Sequence, residues 1–269
     1  MKLIADSGST KTDWITGDGR RQQTAGINPV VQQDDDIRRI LLQVEGRVDA
    51  THVYYYGAGV RPEQRQRMRL LLAEAFPQAA VVEAESDLLG AARALCGHHK
   101  GIACILGTGA NSCLYDGTQI VRQTPALGYV LDDYGGGTAL GRRFLLELYK
   151  GDLIYLQADF EQWSGMTLAD VIERVYRQPS ANRWLASLSE FIAGRQQDAR
   201  VNLLITNNFR EFLRRNVLPY AQCELPVSFV GSIAHYYREQ LAEACRLEGL
   251  CTGSIVKSPA EGIAAYHAS

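Results

Sequence analysis

Asp6-Ser7-Gly8-Ser9-Thr10-Lys11-Thr12 joins one carboxylate, several hydroxyls, a glycine and a lysine at the end of a short apolar run, Lys2–Ala5. Glycine lets backbone amides approach an anion closely, and consecutive amides in a turn form an anion nest. Ser and Thr add hydroxyl donors and Lys adds a cation. The Asp suits Mg²⁺, which takes few carboxylates and keeps several waters. A second turn of this type, Gly107-Thr108-Gly109-Ala110-Asn111-Ser112, follows the apolar run Gly101–Leu106. Charge-assisted hydrogen bonds are worth roughly 1.5–3 kcal/mol each, so several could hold a triphosphate. Either turn alone is equally well an ordinary hairpin turn. Two in the same strand–turn–strand setting favour nucleotide phosphates. Neither is a Walker A loop, because GxxxxGK[ST] is absent, and neither is GxGxxG, because position 112 is Ser.

The elements needed to carry these turns are readable from pattern. After the first turn, Asp13–Thr16 reads as a return strand ending in the hairpin signal Gly17-Asp18-Gly19. After the second, Cys113–Tyr115 returns into Asp116-Gly117. The repeated order of strand, small-residue turn, strand and Asp-Gly turn predicts two lobes built on one plan. Between the copies the sequence predicts strands Val53–Tyr56 and Ala80–Glu83, a helix over Pro62–Phe76 and another from Asp87. The second half predicts helices over Gly136–Leu148, Leu168–Tyr176, Arg183–Ala193 and Val201–Arg215. Strand Pro226–Val230 then leads into Gly231-Ser232, followed by a helix through Cys245, a strand near Ser254–Val256 and a last helix from Pro259. Hairpins mixed with strand–helix alternation predict an α/β protein with mixed sheets.

Composition excludes several classes. With 46% hydrophobic and 22% charged residues the chain has material for a large core, unlike a disordered chain. A net charge of -2 predicts no broad attraction to nucleic acid or to a membrane. The basic clusters Arg61–Arg69 and Arg214–Arg215 fall in helical segments and read as solvated faces. Cysteines at 96, 104, 113, 223, 245 and 251 form no CxxC, and the histidines form no HExxH, so no zinc motif is indicated. No apolar run has the length of a signal peptide core or a membrane span, which predicts a cytoplasmic, reducing setting.

Taken in order, the motifs resemble the N-acetylglucosamine kinase branch of the family that also holds the benzoyl-CoA-reductase activator ATPases, within the larger sugar kinase, actin and heat-shock chaperone fold. Asp6–Trp14 is similar to the first phosphate motif and Leu106–Ser112 to the second. Gly26-Ile27-Asn28-Pro29 resembles the segment that brings an Asn to the sugar, and Ser86–Ala92 the segment with the catalytic Asp. Gly128–Gly137 resembles the sugar-contacting loop, and Val230–Ala234 the adenosine motif. One departure stands out. The branch usually carries Gly-Asp-Glu-Gly-Ser in the sugar loop, and here Asp132 and Tyr134 flank the matching Asp133.

The resemblance implies a two-lobed actin-like, ribonuclease H-like fold with the active site in the interlobe cleft. The lobes are expected over residues 1–101 and 102–257, the last helix at 258–269 rejoining the first. It implies an ATP-dependent, Mg²⁺-assisted kinase acting on an amino sugar, N-acetylglucosamine to its 6-phosphate. Asp6 would hold Mg²⁺. Ser9, Thr10, Lys11, Thr12, Gly107, Thr108 and Gly109 would take the phosphates, and Gly231 and Ser232 the adenosine. Asn28, Asn111, Gly128 and Asp133 would bind the sugar, and Asp87 would be the base. The partner is a small-molecule sugar, with a homodimer as an open option and neither nucleic acid nor membrane. Alternatives are a nucleotide- or sugar-binding regulator without turnover, motivated by Tyr134, and an activator-type ATPase. On the residues alone, Ser86 or Asp87 caps the following helix, and a carboxylate there is expected to keep a low pKa. On the same footing Asn28 is a plain turn residue and Asp132-Asp133 a solvated loop pair.

Overall fold

The structure, a computed structural model, describes residues 1–8 and 11–268. Its contacts divide into two compact units, one of residues 1–100, 115–120 and 258–269, the other of residues 101–114 and 121–257.

The first unit is built on β1 (Lys2–Ser7), β2 (Lys11–Thr16), β3 (Arg21–Ala25), α1 (Asp34–Leu41), β4 (His52–Gly57), α2 (Pro62–Ala75), β5 (Val81–Ser86) and α3 (Asp87–Cys96). Its sheet has the order β3-β2-β1-β4-β5. β1, β2 and β3 form an antiparallel meander, whereas β4 and β5 run parallel to β1. Side chains alternate across a strand, and here both faces are covered. Leu3, Ala5, Trp14, Val53 and Tyr55 pack with Met68 and Leu72 of α2 on one side. Ile4 and Tyr56 meet Ile263 on the other. That is why the β1 and β4 sequences run apolar without alternating with polar residues.

The second unit contains β6 (Gly101–Leu106), β7 (Ala110–Tyr115), β8 (Ile120–Gln123), α4 (Gly128–Leu131), α5 (Gly137–Lys150), α6 (Gln157–Ser164), α7 (Leu168–Tyr176), α8 (Ala181–Ser187), α9 (Ser189–Ala193) and α10 (Ala199–Phe212). It continues with β9 (Val227–Val230), α11 (Ser232–Tyr236), α12 (Arg238–Leu247) and β10 (Thr252–Val256). The last helix, α13 (Ala260–Ala268), belongs to the first unit and packs on α3. The second sheet has the order β10-β9-β6-β7-β8, which is the plan of the first sheet with β6 in the place of β1. The internal repeat seen in the sequence is therefore a repeat of topology. Its core gathers Leu106 of β6, Phe229 of β9, Phe144 of α5, Phe191 of α9 and Phe209 and Phe212 of α10.

Several predicted elements end elsewhere; the helix predicted after Gly231-Ser232 through Cys245 is two, α11 and α12, and three others differ for physical reasons. β5 runs on to Ser86 because its parallel pairing with β4 extends to Gly57. The helix predicted over Arg183–Ala193 is two helices, and Ser187 Oγ donates to the Trp184 carbonyl at 2.7 Å near the break, a local bond that competes with helix continuation. α10 gives way after Phe212 to a π-helical turn, Leu213–Val217, ahead of Pro219, which has no amide to donate. Among the described residues, no helix is long and apolar enough to cross a membrane.

Candidate active site

In the first unit, the carboxyl ends of β1, β4 and β5 lie in register: Ser7 pairs with Gly57, and Gly57 with Ser86. This brings Asp6 and Asp87 to the carboxyl end of the parallel strands. Ser86 Oγ accepts from the Leu89 amide at 3.2 Å, so Ser86 is the N-cap of α3. Asp87 is thereby released from capping and occupies the first helical position, where one carboxylate oxygen accepts from the Leu88 amide at 2.8 Å. α3 can sit this close to β4 because position 90 is glycine; a Cβ there would lie 2.8 Å from Tyr56.

The electrostatics differ from the low pKa expected of a carboxylate at a helix start. Burial pushes the Asp87 carboxyl up, against the pull of the Leu88 amide. Burial also pushes the Asp6 carboxyl up, to about 7, with Asp87 and Asp13 adding to the rise and Lys11 opposing it. A carboxylate whose charge is penalised by burial and by a neighbouring carboxylate gains from a cation beside it. Among the described residues, no group of three or more His, Cys, Asp or Glu could hold a metal by itself. A Mg²⁺ carried with a nucleotide needs only one or two protein carboxylates, phosphates and waters completing its shell. Asp6 fits that need.

The first turn is partly structural. Thr12 is fully buried, its hydroxyl 2.7 Å from Ser7 Oγ and 3.2 Å from the Ala25 carbonyl. These bonds make Thr12 a strut between β1, β2 and the end of β3. Lys11 is exposed and pairs with Asp13 at 3.0 Å. Ser9 and Thr10 lie outside the described residues. Asn28 is both turn residue and candidate ligand. Its Oδ1 accepts from the Val30 amide at 3.0 Å, so a donor group, Nδ2, is what it has left for a ligand.

In the second unit, Gly107–Gly109 turns between β6 and β7. The first amides of α5 are consumed by this turn: Gly137 N donates to the Gly107 carbonyl at 2.8 Å and Thr138 N to the Thr108 carbonyl at 2.9 Å. Its carbonyls are thus held on the helix, and Thr108 stays exposed. Gly231 closes onto the same turn with φ +127°, and a Cβ there would overlap the Leu106 carbonyl oxygen. Only glycine accommodates both the dihedral and the approach. The exposed Ser232 follows it, at the first position of α11.

Asp133 reaches the same turn. Its backbone is left-handed, φ 63°, a conformation that Asp tolerates. Its carboxylate covers Gly109, accepts from the Ala110 amide at 3.3 Å and is pushed up by burial. Asp132 is 8% exposed, not the solvated loop residue expected from its type. Asn111 Oδ1 accepts from Ser112 N at 2.9 Å and from Gln123 at 3.2 Å. Gly128 opens the exposed helix α4. The Tyr134 ring is partly buried against the core of the second unit and lies between the guanidinium groups of Arg143, at 5.0 Å, and Arg215, at 5.1 Å. The structure adds Arg142, unmarked in the sequence, whose guanidinium donates to the Tyr129 carbonyl at 3.1 Å and lowers the pKa of Asp133.

Two sheets of one plan, each bearing a small-residue turn beside an acidic side chain, have the architecture of the sugar kinase, actin and heat-shock chaperone fold. No protein-family model and no curated protein matches the chain. Solved structures do. A candidate N-acetylglucosamine kinase from Porphyromonas gingivalis is 44% identical, with a TM-score of 0.93, over 99% of this chain and 98% of that one. The chain belongs to the N-acetylglucosamine kinase family of this relative. A second candidate N-acetylglucosamine kinase, from Chromobacterium violaceum, matches 99% of each chain at 18% identity and a TM-score of 0.73. A ROK family glucokinase from Streptomyces griseus, solved with glucose and AMPPNP, shares the fold at 16% identity and a TM-score of 0.59, over 100% of this chain and 98% of that one.

Proposed function

We propose that the chain is an ATP-dependent kinase that phosphorylates N-acetylglucosamine on its 6-hydroxyl. The observation that carries this is Asp87. It follows a sheet strand directly, Ser86 has taken over the capping, and its carboxyl pKa is raised beside Asp6. The name of the 44% identical relative supports the amino sugar, and the glucose and AMPPNP of the Streptomyces griseus glucokinase support a sugar and a nucleotide as the substrate pair.

Phosphoryl transfer needs positioning, charge neutralisation and an oriented nucleophile more than covalent help from the protein. In this mechanism Asp87 accepts the proton of the sugar hydroxyl as its oxygen bonds to the terminal phosphorus of ATP and ADP leaves. Burial raises the Asp87 carboxyl above the usual carboxylate range, the direction that strengthens a carboxylate as a proton acceptor. Asp6 would hold Mg²⁺, which supplies neutralisation of phosphate charge. Lys11, with Ser9 and Thr10, and the amides of Thr108 and Gly109 receive the phosphates, the Gly107 amide bracing the turn by donating to the Gly109 carbonyl at 3.0 Å, while Gly231 and Ser232 lie along the adenosine. Asn28 and Asp133, with Asn111 and Gly128, orient the sugar.

The test is Asp87→Asn beside Ser86→Ala. Loss of a general base lowers kcat about 10²–10⁴-fold, so Asp87→Asn should show this at a melting temperature no lower than that of the wild type. Ser86→Ala should cost about 1 kcal/mol of stability and keep most of kcat. Full kcat in a folded Asp87→Asn enzyme, assayed with Mg-ATP and a panel of hexoses and amino sugars, would falsify the proposal.

A further inference from the structure

The segment that carries Asn28 has no regular structure from Gly26 to Gln33, yet side chains tie it down at nearly every peptide. Gln32 is used at both ends of its carboxamide: Oε1 accepts from the Asn28 amide at 2.7 Å, and Nε2 donates to the Gly26 carbonyl at 3.1 Å. Arg67, on α2, closes the other side. Its guanidinium donates to the carbonyls of Pro29 and of Gln32, the latter at 2.9 Å, to Asp34 at 2.6 Å and to Gln64 at 3.2 Å. The loop that leads into α2 completes the arrangement. Gly59 has φ +80°, and a Cβ there would overlap Asn28 Oδ1. One helix and its entry loop thus supply both the floor under Asn28 and the clamp around its turn.

We propose that Arg67, acting with Gln32, is a positioning residue that fixes the Asn28 carboxamide for the sugar. The inference rests on the kinase reading, in which Asn28 meets the substrate. With Oδ1 committed to Val30, the group presented is the Nδ2 donor, so its partner on the substrate is an oxygen that accepts, a hydroxyl or a carbonyl. A planar guanidinium spanning Pro29, Gln32 and Asp34 is suited to this fixing, since its donors sit in a rigid fork. A lysine would keep the charge beside Asp34 and lose the span.

The experiment compares wild type with Arg67→Ala, Arg67→Lys and Gln32→Glu, and with Arg39→Ala as an exposed control. Misplacing a positioning group by about 1 Å can cost up to about 10²-fold. The three clamp variants should raise the KM for N-acetylglucosamine by about ten- to a hundredfold, leave the KM for Mg-ATP unchanged, and melt near the wild-type temperature. Hydrogen exchange over residues 26–33 should be faster in the clamp variants and unchanged in Arg39→Ala. Exchange is read without any turnover. If wild type neither binds nor phosphorylates the sugar, the kinase reading fails while the clamp is still measured. A clamp variant with wild-type sugar KM overturns the proposal, as does wild-type exchange over 26–33. Should Arg67→Ala not fold, Arg67→Lys and Gln32→Glu decide by the same two measurements.

Discussion

Replacing Asp6 by Asn should make the protein more stable at neutral pH and change how its stability depends on pH. The Asp6 carboxyl rises from 3.8 to about 7 through burial and the charges of Asp87 and Asp13, with Lys11 pulling the other way. Between these two values the folded chain holds a proton that the unfolded chain has released. Stability therefore falls as pH rises across that window, being complete below about pH 4 and lost above about pH 7. A difference of about three pKa units corresponds to about 4 kcal/mol. That is an upper limit, because Asp6 keeps some solvent contact and water screens its charge. Asn has nearly the shape of protonated Asp and does not titrate. The two proteins should melt together near pH 4 and diverge above it, Asp6→Asn ending higher by up to roughly 8–16 °C at pH 8, at about 2–4 °C per kcal/mol. The assay is a melting series from pH 4 to 8, without ligand and with Mg²⁺ plus a non-hydrolysable ATP analogue. Cation binding to Asp6 should flatten the wild-type series and leave the variant's pH dependence as it was. Parallel curves for the two proteins without ligand would refute the coupling of Asp6 to its buried setting.

Two further substitutions separate structure from binding at the turns. Thr12→Val removes a buried hydroxyl that bonds Ser7 and Ala25; it should cost about 1–3 kcal/mol, read by denaturant titration, with the KM for ATP unchanged. A raised nucleotide KM with intact stability would return Thr12 to the phosphates. Gly231→Ala meets both a positive φ and the Leu106 carbonyl. It should lose roughly 1–3 kcal/mol and weaken nucleotide binding in calorimetry, and wild-type behaviour on both counts would mean that Gly231 does not pin the Gly107 turn.

The sequence by itself determined the plan. Apolar runs of strand length, Gly-rich turns after β1 and β6, and Asp-Gly hairpin signals are local features, and local sterics set them whatever surrounds them. Hence the repeat was legible, as were the end-of-strand positions of Asp6 and the Gly107 turn, and the helix starting at Ser86-Asp87. Tertiary structure decided what each side chain does there. Ser86 and Asp87 are both good caps, and only the length of β5, set by its pairing with β4, assigns the cap to one and frees the other. Thr12 looks like its neighbours in a phosphate turn, but the β1–β2 pairing buries it against Ser7. Tyr134 follows Asp133 directly, yet the left-handed backbone at Asp133 sends the two side chains to different surroundings. Arg67 is 38 residues from the Pro29 carbonyl that it holds, and no spacing rule links them. Such partners are chosen by burial and by the packing of α2 beside the sheet, because desolvation and hydrogen-bond geometry depend on distance in space, which a residue pattern along the chain does not record.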